Sequence, residues 1–315
     1  MSNVYTCKKC NAPLDITPES IVAICNYCGY PNIISGIISP EDVYIVPSQS
    51  RAKIINEFNR LIREDFDLKK IAPYIQIYGI HAFYAPVWTG RVPVRGQISY
   101  YKIIREKKKT RRKYYVENIN LIENVSLPAR RQPMKFGINE AIEHFKITNP
   151  KIMRLMDLDR FAWDNIKLEI LNTEFDRSEA YRRIKEEALD IIRAKYRSKS
   201  DGIDAFICQS YEPLDLKLIL LPVWWIYYKY KNSIYYIVFS GWDLKPIIRT
   251  EPLTTLRRAV YLIGSIVLLI ATPLSILLIS SMEEVSLSTL VIPLLLLAGS
   301  YYMTNLSLRS IRVER

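Results

Sequence analysis

Two long uncharged stretches near the C-terminal end constrain this chain more than any other feature. Ala259 to Met282 and Val285 to Leu308 each run for 24 residues without a charged side chain, and Leu, Ile and Val dominate both. A helix rises about 1.5 Å per residue, so about 20 such residues cross a hydrocarbon layer about 30 Å thick. Both stretches are predicted to span a bilayer. Only Glu283 and Glu284 lie between them, too little chain for a domain, so residues 257–308 read as a transmembrane helical hairpin. The rival reading, two core helices of a soluble protein, fits poorly, because buried helices seldom run past about 18 residues without a charge. Pro273 and Pro293 fall inside the stretches and are expected to kink them, as lipid-embedded helices tolerate when a neighbour or a Ser or Thr satisfies the freed carbonyl.

The charges at the ends give a direction. Arg249, Arg257 and Arg258 precede the first stretch, Arg309, Arg312 and Arg315 follow the second, and the connection is acidic. Cationic flanks stay on the cytoplasmic side. The expected arrangement is a multi-pass protein of the cell membrane, with residues 1–256 and a short basic tail, 309–315, in the cytoplasm. The first residues, Met-Ser-Asn-Val-Tyr-Thr-Cys, contain no apolar run, so no cleavable signal peptide is expected.

Of the 315 residues, 44 are Lys or Arg and 32 are Asp or Glu, and 49% are hydrophobic, which excludes a disordered chain. Only 10 Gly and 2 His are present, and neither G-x-x-x-x-G-K-[ST] nor G-x-G-x-x-G occurs, so the common nucleotide-cradling loops have nothing to be built from. His81 and His144 stand far apart with no Cys or paired acid at ligand spacing. Asp157 with Asp159, and Glu186 with Glu187, are too close in sequence to face each other on a helix. A non-enzymatic role is expected.

Four cysteines near the N-terminus are the chemical signature. Cys7 and Cys10 form one C-x2-C pair, Cys25 and Cys28 another, and 14 residues separate them. Each such turn brings two sulfurs to one centre, and a short hairpin returns the chain to supply the other two, as in a tetrahedral zinc site. Residues 1–35 are therefore predicted to be a zinc ribbon holding one structural Zn2+, with the β-branched run Ile21 to Ile24 as its returning strand. Two disulfides are the alternative, and a reducing cytoplasm favours thiolate ligation. With four sulfurs bound, such a metal has no open position at which to activate water. Cys208, in the apolar run after Ala205, reads as a small buried hydrophobe.

Residues 36–256 read as an α+β domain. A linker punctuated by Pro40 and Pro47 leads to a helix in which Ile54, Ile55, Phe58, Leu61 and Ile62 recur at helical spacing. Helices are also predicted over Ile138 to Phe145, Lys151 to Leu158 and Ser178 to Tyr196, the last with Tyr181, Ile184, Ala188, Ile191 and Ile192 on one face. Pro86-Val87-Trp88 and, 136 residues on, Pro222-Val223-Trp224 each open a long aromatic and β-branched segment. Each segment turns back on itself, at Lys107 to Lys109 and at Lys231 to Ser233, which predicts two related β-hairpin units. Without β-α-β alternation, antiparallel pairing is expected. Trp88, Trp163, Trp224, Trp225 and Trp242 sit in strand-like patterns and are read as core residues.

Lys102, Arg105, Lys107, Lys108, Lys109, Arg111, Arg112 and Lys113 place eight cations in twelve residues at the tip of the first hairpin. Three readings stand side by side: contact with anionic lipid headgroups at about 1 kcal/mol per cation near the surface, a solvated hairpin end that resists aggregation, and nucleic-acid binding, with Tyr100, Tyr101, Tyr114 and Tyr115 as stacking platforms.

The C-x2-C-x14-C-x2-C start, Tyr84-Ala85-Pro86-Val87-Trp88, and the run from Leu220 to Lys231 together resemble a family of membrane-anchored proteins with a zinc ribbon of the transcription-factor-IIB type, often labelled primosomal protein N-prime-like. The resemblance covers most of the soluble part and implies a cytoplasmic module tethered to a membrane. The helicase activity suggested by that label has no Walker loop to support it here. The expected function is a membrane-tethered adaptor that recruits a protein partner at the inner face of the membrane. The alternative is a membrane-associated nucleic-acid-binding regulator.

Overall fold

A computed structural model describes residues 5–14, 16, 22–34, 42–66, 68–106, 109–130, 137–157, 168–171, 173–252, 255–280, 291–308 and 311–314. In chain order the elements are β1 (Val22–Ile24), β2 (Pro31–Ile33), β3 (Val43–Ile45), α1 (Arg51–Glu64), α2 (Leu68–Ile71), β4 (Gln76–Glu106), β5 (Lys109–Pro128), α3 (Ile138–Thr148), β6 (Met153–Arg154), β7 (Glu169–Ile170), α4 (Arg177–Lys199), β8 (Gly202–Ser210), β9 (Leu216–Tyr230), β10 (Ser233–Ser240), β11 (Pro246–Pro252), α5 (Thr255–Ser280), α6 (Val291–Leu308) and β12 (Ile311–Glu314). The chain is thus mixed α and β, with a cysteine cluster at the start and two apolar helices at the end. It divides into two compact units, Met1–Ile54 with His81–Trp224 and Phe239–Ile247, and Ile55–Ile80 with Trp225–Val238 and Ile248–Arg315.

In the first unit β4 and β5 form one long antiparallel hairpin, in register from Val87 opposite Pro128 to Glu106 opposite Lys109. β8 pairs with the other edge of β4, also antiparallel. Helix α4 packs on β5 and β8, burying Ala180, Ile184, Ala188, Ile192 and Tyr196 against a core that includes Trp88, Val92, Val94 and Ile98. These residues recur at three- and four-residue spacing, so one stripe of the helix faces the sheet. Asp176 caps the helix by accepting a hydrogen bond from the Glu179 amide at 2.8 Å. Gly96 holds φ +152° where β4 meets β8, and a Cβ there would lie 2.1 Å from the Ile207 carbonyl oxygen.

Two pairings depart from the antiparallel expectation. β3 runs parallel to β9, with Val43 opposite Leu218 and Ile45 opposite Leu220, and β7 runs parallel to β4, with Tyr84 opposite Ile170. β3 lies in the segment predicted to be a linker; Val43 and Ile45 are fully buried on one side of the chain. The predicted helix over Lys151 to Leu158 is instead strand β6, paired with β3, followed by a 3-10 turn at Leu155–Asp157; Leu158 itself lies outside the described residues.

The two Pro-Val-Trp segments occupy matching places. The Leu171 amide donates to the Tyr84 carbonyl at 3.0 Å, as Val46 does to Leu220 at 3.1 Å. Ala129 donates to Pro86 at 3.0 Å, as Gly241 does to Pro222 at 2.8 Å. Glu174 donates to Ala129 at 2.8 Å, as Gln49 does to Gly241 at 2.7 Å. Both tryptophans are buried and both donate through Nε1, Trp88 to the Phe175 carbonyl at 3.3 Å and Trp224 to Ser48 Oγ at 2.8 Å. The repeat is therefore larger than a hairpin: a short strand, a helix and a Pro-Val-Trp hairpin occur twice, and each short strand docks on the other copy's Pro-Val-Trp strand. Trp225 is buried as well, Trp242 is half-buried and Trp163 lies outside the described residues.

In the second unit the tip of the β9 and β10 hairpin adjoins β11, whose other neighbour is β12. Phe58 of α1 packs its ring 5.6 Å from that of Tyr228, and Asp65 at the end of the same helix pairs with Arg249 at 3.2 Å. Residues 311–314, predicted to belong to a basic tail, form β12, antiparallel to β11 with Pro252 opposite Ile311 and Arg249 opposite Glu314. The strand that leads into α5 and the strand that follows α6 are thus neighbours.

Helices α5 and α6 pack along each other through small and hydroxyl residues. Ser265 Oγ lies 3.0 Å from Ser300 Oγ and 2.7 Å from Thr304 Oγ1, and Ser300 Oγ donates to the Ser265 carbonyl at 3.0 Å. The remaining faces expose large apolar side chains, among them Leu278, Leu294 and Leu295. Arg257–Ser280 and Val291–Leu308, 24 and 18 residues, are long and apolar enough to cross a membrane. Pro273 lies inside α5, and Thr272 Oγ1 turns back to the Leu268 carbonyl at 2.9 Å beside it. Pro293 stands near the start of the described part of α6. Glu283 and Glu284 lie outside the described residues.

Candidate metal centre

The local sequence builds two matching turns. After Cys7 and Cys10 the chain bends at Asn11, φ +61°, and after Cys25 and Cys28 it bends at Gly29, φ +70°. Left-handed backbone favours glycine and tolerates asparagine, which explains both residues. In each turn the amide that follows the second cysteine returns to the first: Asn11 donates to the Cys7 carbonyl and Gly29 to the Cys25 carbonyl, both at 2.9 Å. Each first cysteine in turn donates its amide across the hairpin, Cys7 to Ala12 at 2.8 Å and Cys25 to Tyr30 at 3.0 Å. The antiparallel pair β1 and β2, with Ala23 opposite Asn32, closes the second turn as the bridge between Thr6 and Pro13 closes the first.

These turns bring the Sγ atoms of Cys7, Cys10, Cys25 and Cys28 within 4.8 Å of one another. Cys7 Sγ lies 3.5 Å from Cys28 Sγ, and Cys10 Sγ lies 3.5 Å from Cys25 Sγ, well beyond the roughly 2 Å of a disulfide. Four sulfurs about 2.3 Å from a central ion in a tetrahedron stand about 3.8 Å apart. The donor set and its spacing therefore fit a tetrahedral metal ion.

The surroundings act in opposite directions on the first two thiols. At Cys7 burial opposes ionisation, but backbone N–H groups of Cys10 and Lys9 and the Asn32 amide outweigh it and bring the thiol down to about 6. At Cys10 the Ala12 amide favours the thiolate, yet burial and the three neighbouring sulfurs together push it up to about 12. Four negative charges cannot share this space without a cation. Asn32 was not singled out by sequence, and it holds the centre together: its Nδ2 donates to the Tyr30 carbonyl at 2.9 Å and approaches Cys7 Sγ at 3.5 Å, while its Oδ1 accepts from the Lys8 amide at 2.8 Å. Nothing in the sequence marks it except its place after the Pro that ends the second turn.

The basic hairpin tip places Lys102 directly opposite Lys113, Ile103 opposite Arg112 and Ile104 opposite Arg111. Lys102, Arg105, Arg111, Arg112 and Lys113 are all exposed. Like charges in direct register repel, which leaves this tip attractive to anions. Arg112 lies over the Tyr101 ring at 4.8 Å and Lys113 over Tyr115 at 5.4 Å. Lys107 and Lys108 lie outside the described residues, and of Lys109 only the backbone is described.

Two further side-chain clusters escaped the sequence reading. His144 Nε2 lies 2.7 Å from Asp243 Oδ2 and its ring stacks on Trp242 at 5.4 Å, although 99 residues separate the pair. Burial opposes the Asp243 charge, but hydrogen bonds from Ser240, His144 and the Lys245 amide hold its carboxyl below the usual range. The other cluster joins Glu117 to Tyr100, Tyr196 and Lys199. Cys208, expected to be buried, is half-buried on β8, and what burial it has pushes its thiol up. Comparison with known protein families, with curated proteins and with solved structures finds no match for this chain.

Proposed function

We propose that this protein is a membrane-tethered adaptor: a zinc ribbon, fixed by Cys7, Cys10, Cys25 and Cys28, recruits a cytosolic protein, and α5 and α6 hold it at the inner face of the cell membrane. The observation that carries the reading is the joint presence of four converging sulfurs in matched turns and two lipid-length apolar helices with exposed Leu faces. Zinc is preferred because tetrahedral all-sulfur sites in a reducing compartment suit it. A closed site of this kind supports a structural metal and a binding surface rather than chemistry. The helices begin and end on neighbouring strands β11 and β12, which supports a hairpin that enters and leaves on one side, with both termini cytoplasmic as the flanking arginines suggest. Tethering raises the effective concentration of whatever the ribbon binds. The test is crosslinking of the full chain in intact cells followed by capture. Partners that disappear when Cys25 and Cys28 become Ser, while the chain still inserts, support the adaptor; an unchanged set of partners refutes it.

A second reading has one observation of its own. Exposed Tyr114 stands among Arg111, Arg112 and Lys113 on a tip with like charges in register, the interleaving of cations and rings that single-stranded nucleic acid uses. Binding through this tip should fall steeply with salt, because phosphate contacts release counterions. A flat salt response, or no retention on DNA or RNA at low salt, removes it.

A further inference from the structure

The end of the sheet nearest α5 carries a second cationic feature, away from the runs that the sequence made conspicuous. The Tyr236 amide donates to Thr250 Oγ1 at 2.7 Å, and Thr250 Oγ1 donates back to the Tyr236 carbonyl at 2.8 Å. Nearer the start of β11, the Ser240 amide donates to the Lys245 carbonyl at 2.9 Å. Residue numbers fall along β10 as they rise along β11, so the strands are antiparallel and Ile234 comes level with Pro252. Helix α5 begins at Thr255, three residues beyond Pro252, a reach of no more than about 11 Å. The turn between β9 and β10 therefore stands at the level at which α5 leaves the sheet.

At this level a cavity of about 500 Å³ is lined by Pro73, Tyr74, Gln76, Lys229, Tyr230 and Lys231. Tyr74 is 71% exposed and Ile234 51%, placements that suit a bilayer interface, where tyrosine rings and lysines collect. Among the described residues no carboxylate pairs with Lys229 or Lys231. Lys231 also occupies a left-handed backbone position, φ +52°, where glycine or asparagine is favoured. A lysine kept there points to a use for its charge.

We propose that this cavity is a headgroup site for an anionic phospholipid, with Lys229 and Lys231 on the phosphate and Tyr74 and Tyr230 at the boundary with the acyl chains. The proposal rests on the membrane reading of α5 and α6 and deepens it, because the site lies where the first span would enter the headgroup layer. The ligand chemistry is a phosphate ester, and a soluble phosphate is the competing source.

The test uses the full-length chain in a mild nonionic detergent, with phosphatidylglycerol, phosphatidylcholine or inorganic phosphate added and retained ligand counted by native mass spectrometry. The protein should prefer phosphatidylglycerol to phosphatidylcholine, and the double variant Lys229→Gln, Lys231→Gly should lose about 30-fold of that preference at low salt. Glycine suits the turn at position 231, so thermal unfolding of the variant should match or exceed that of the parent. Equal retention of both lipids, or a preference untouched in the variant, overturns the site. Displacement of phosphatidylglycerol by equimolar inorganic phosphate overturns the lipid as its ligand. A chain that stays monodisperse without detergent fails the membrane reading itself, whereas a detergent-requiring chain with no lipid preference fails only the headgroup site.

Discussion

Glu117 shows what a single carboxylate does in this fold. It accepts hydrogen bonds from the Tyr100 and Tyr196 hydroxyls and from Lys199 Nζ at 3.1 Å, and so ties α4 to the long hairpin. Those bonds bring its carboxyl from an ordinary 4.5 down to about 2, while burial and the same carboxylate push Tyr196 up to about 12. A depressed folded value stabilises the fold fully above the unfolded value, so this contribution is present above about pH 4.5 and is lost as pH falls through about 2. The side chain is 40% exposed, and solvent screening keeps the effect modest. Glu117→Gln should cost about 1–2 kcal/mol at pH 7, with the gap between variant and parent closing below about pH 3 in chemical denaturation. A gap that is constant with pH would mean the charge contributes nothing. At this scale the four cysteines were legible in sequence, because a metal site advertises its ligands by short spacing. Glu117 was not, since Tyr196 lies 79 residues away, and neither was the pair of His144 and Asp243.

The elements were legible in proportion to their length. Ser178 to Tyr196, with its regular apolar face, is recovered as α4, and the hydrophobic spacing from Ile54 to Ile62 as α1. Both Pro-Val-Trp echoes are strands that turn back on themselves. The swapped docking between the copies was hidden, because β3 and β7 are only three and two residues long and a run that short has no measurable period. Lys151 to Leu158 misled for a related reason: its helical pattern is brief, and pairing of Met153 with Ile45 outweighs local preference. The duplication gives Ser48 and the stretch after β7 equivalent duties. Ser48 is 7% exposed and its hydroxyl accepts from Trp224 Nε1, so Ser48→Ala leaves a buried indole N–H unpaired. A loss of about 1–2 kcal/mol in denaturant melts is expected, and an unchanged midpoint would deny that the tryptophan is pinned through this bond.

For the whole molecule, the absence of charge over two 24-residue stretches is the most legible feature, and residues 311–314 the least. Ile311, Arg312, Val313 and Glu314 alternate in the period of a strand, yet their basic neighbours made them look like a tail; in the structure they close β12 onto β11 beside the start of α5. Between the helices, the Ser265, Ser300 and Thr304 hydroxyls satisfy one another, an arrangement suited to surroundings without water. The outward faces expose Leu269, Leu277, Leu278, Leu294 and Leu295. A folded domain in water rarely leaves so much apolar surface uncovered. Extraction of native membranes with alkaline carbonate tests this most directly. The chain should stay in the pellet and be released only by detergent; its appearance in the carbonate supernatant, monodisperse and free of lipid, would contradict a membrane-spanning hairpin.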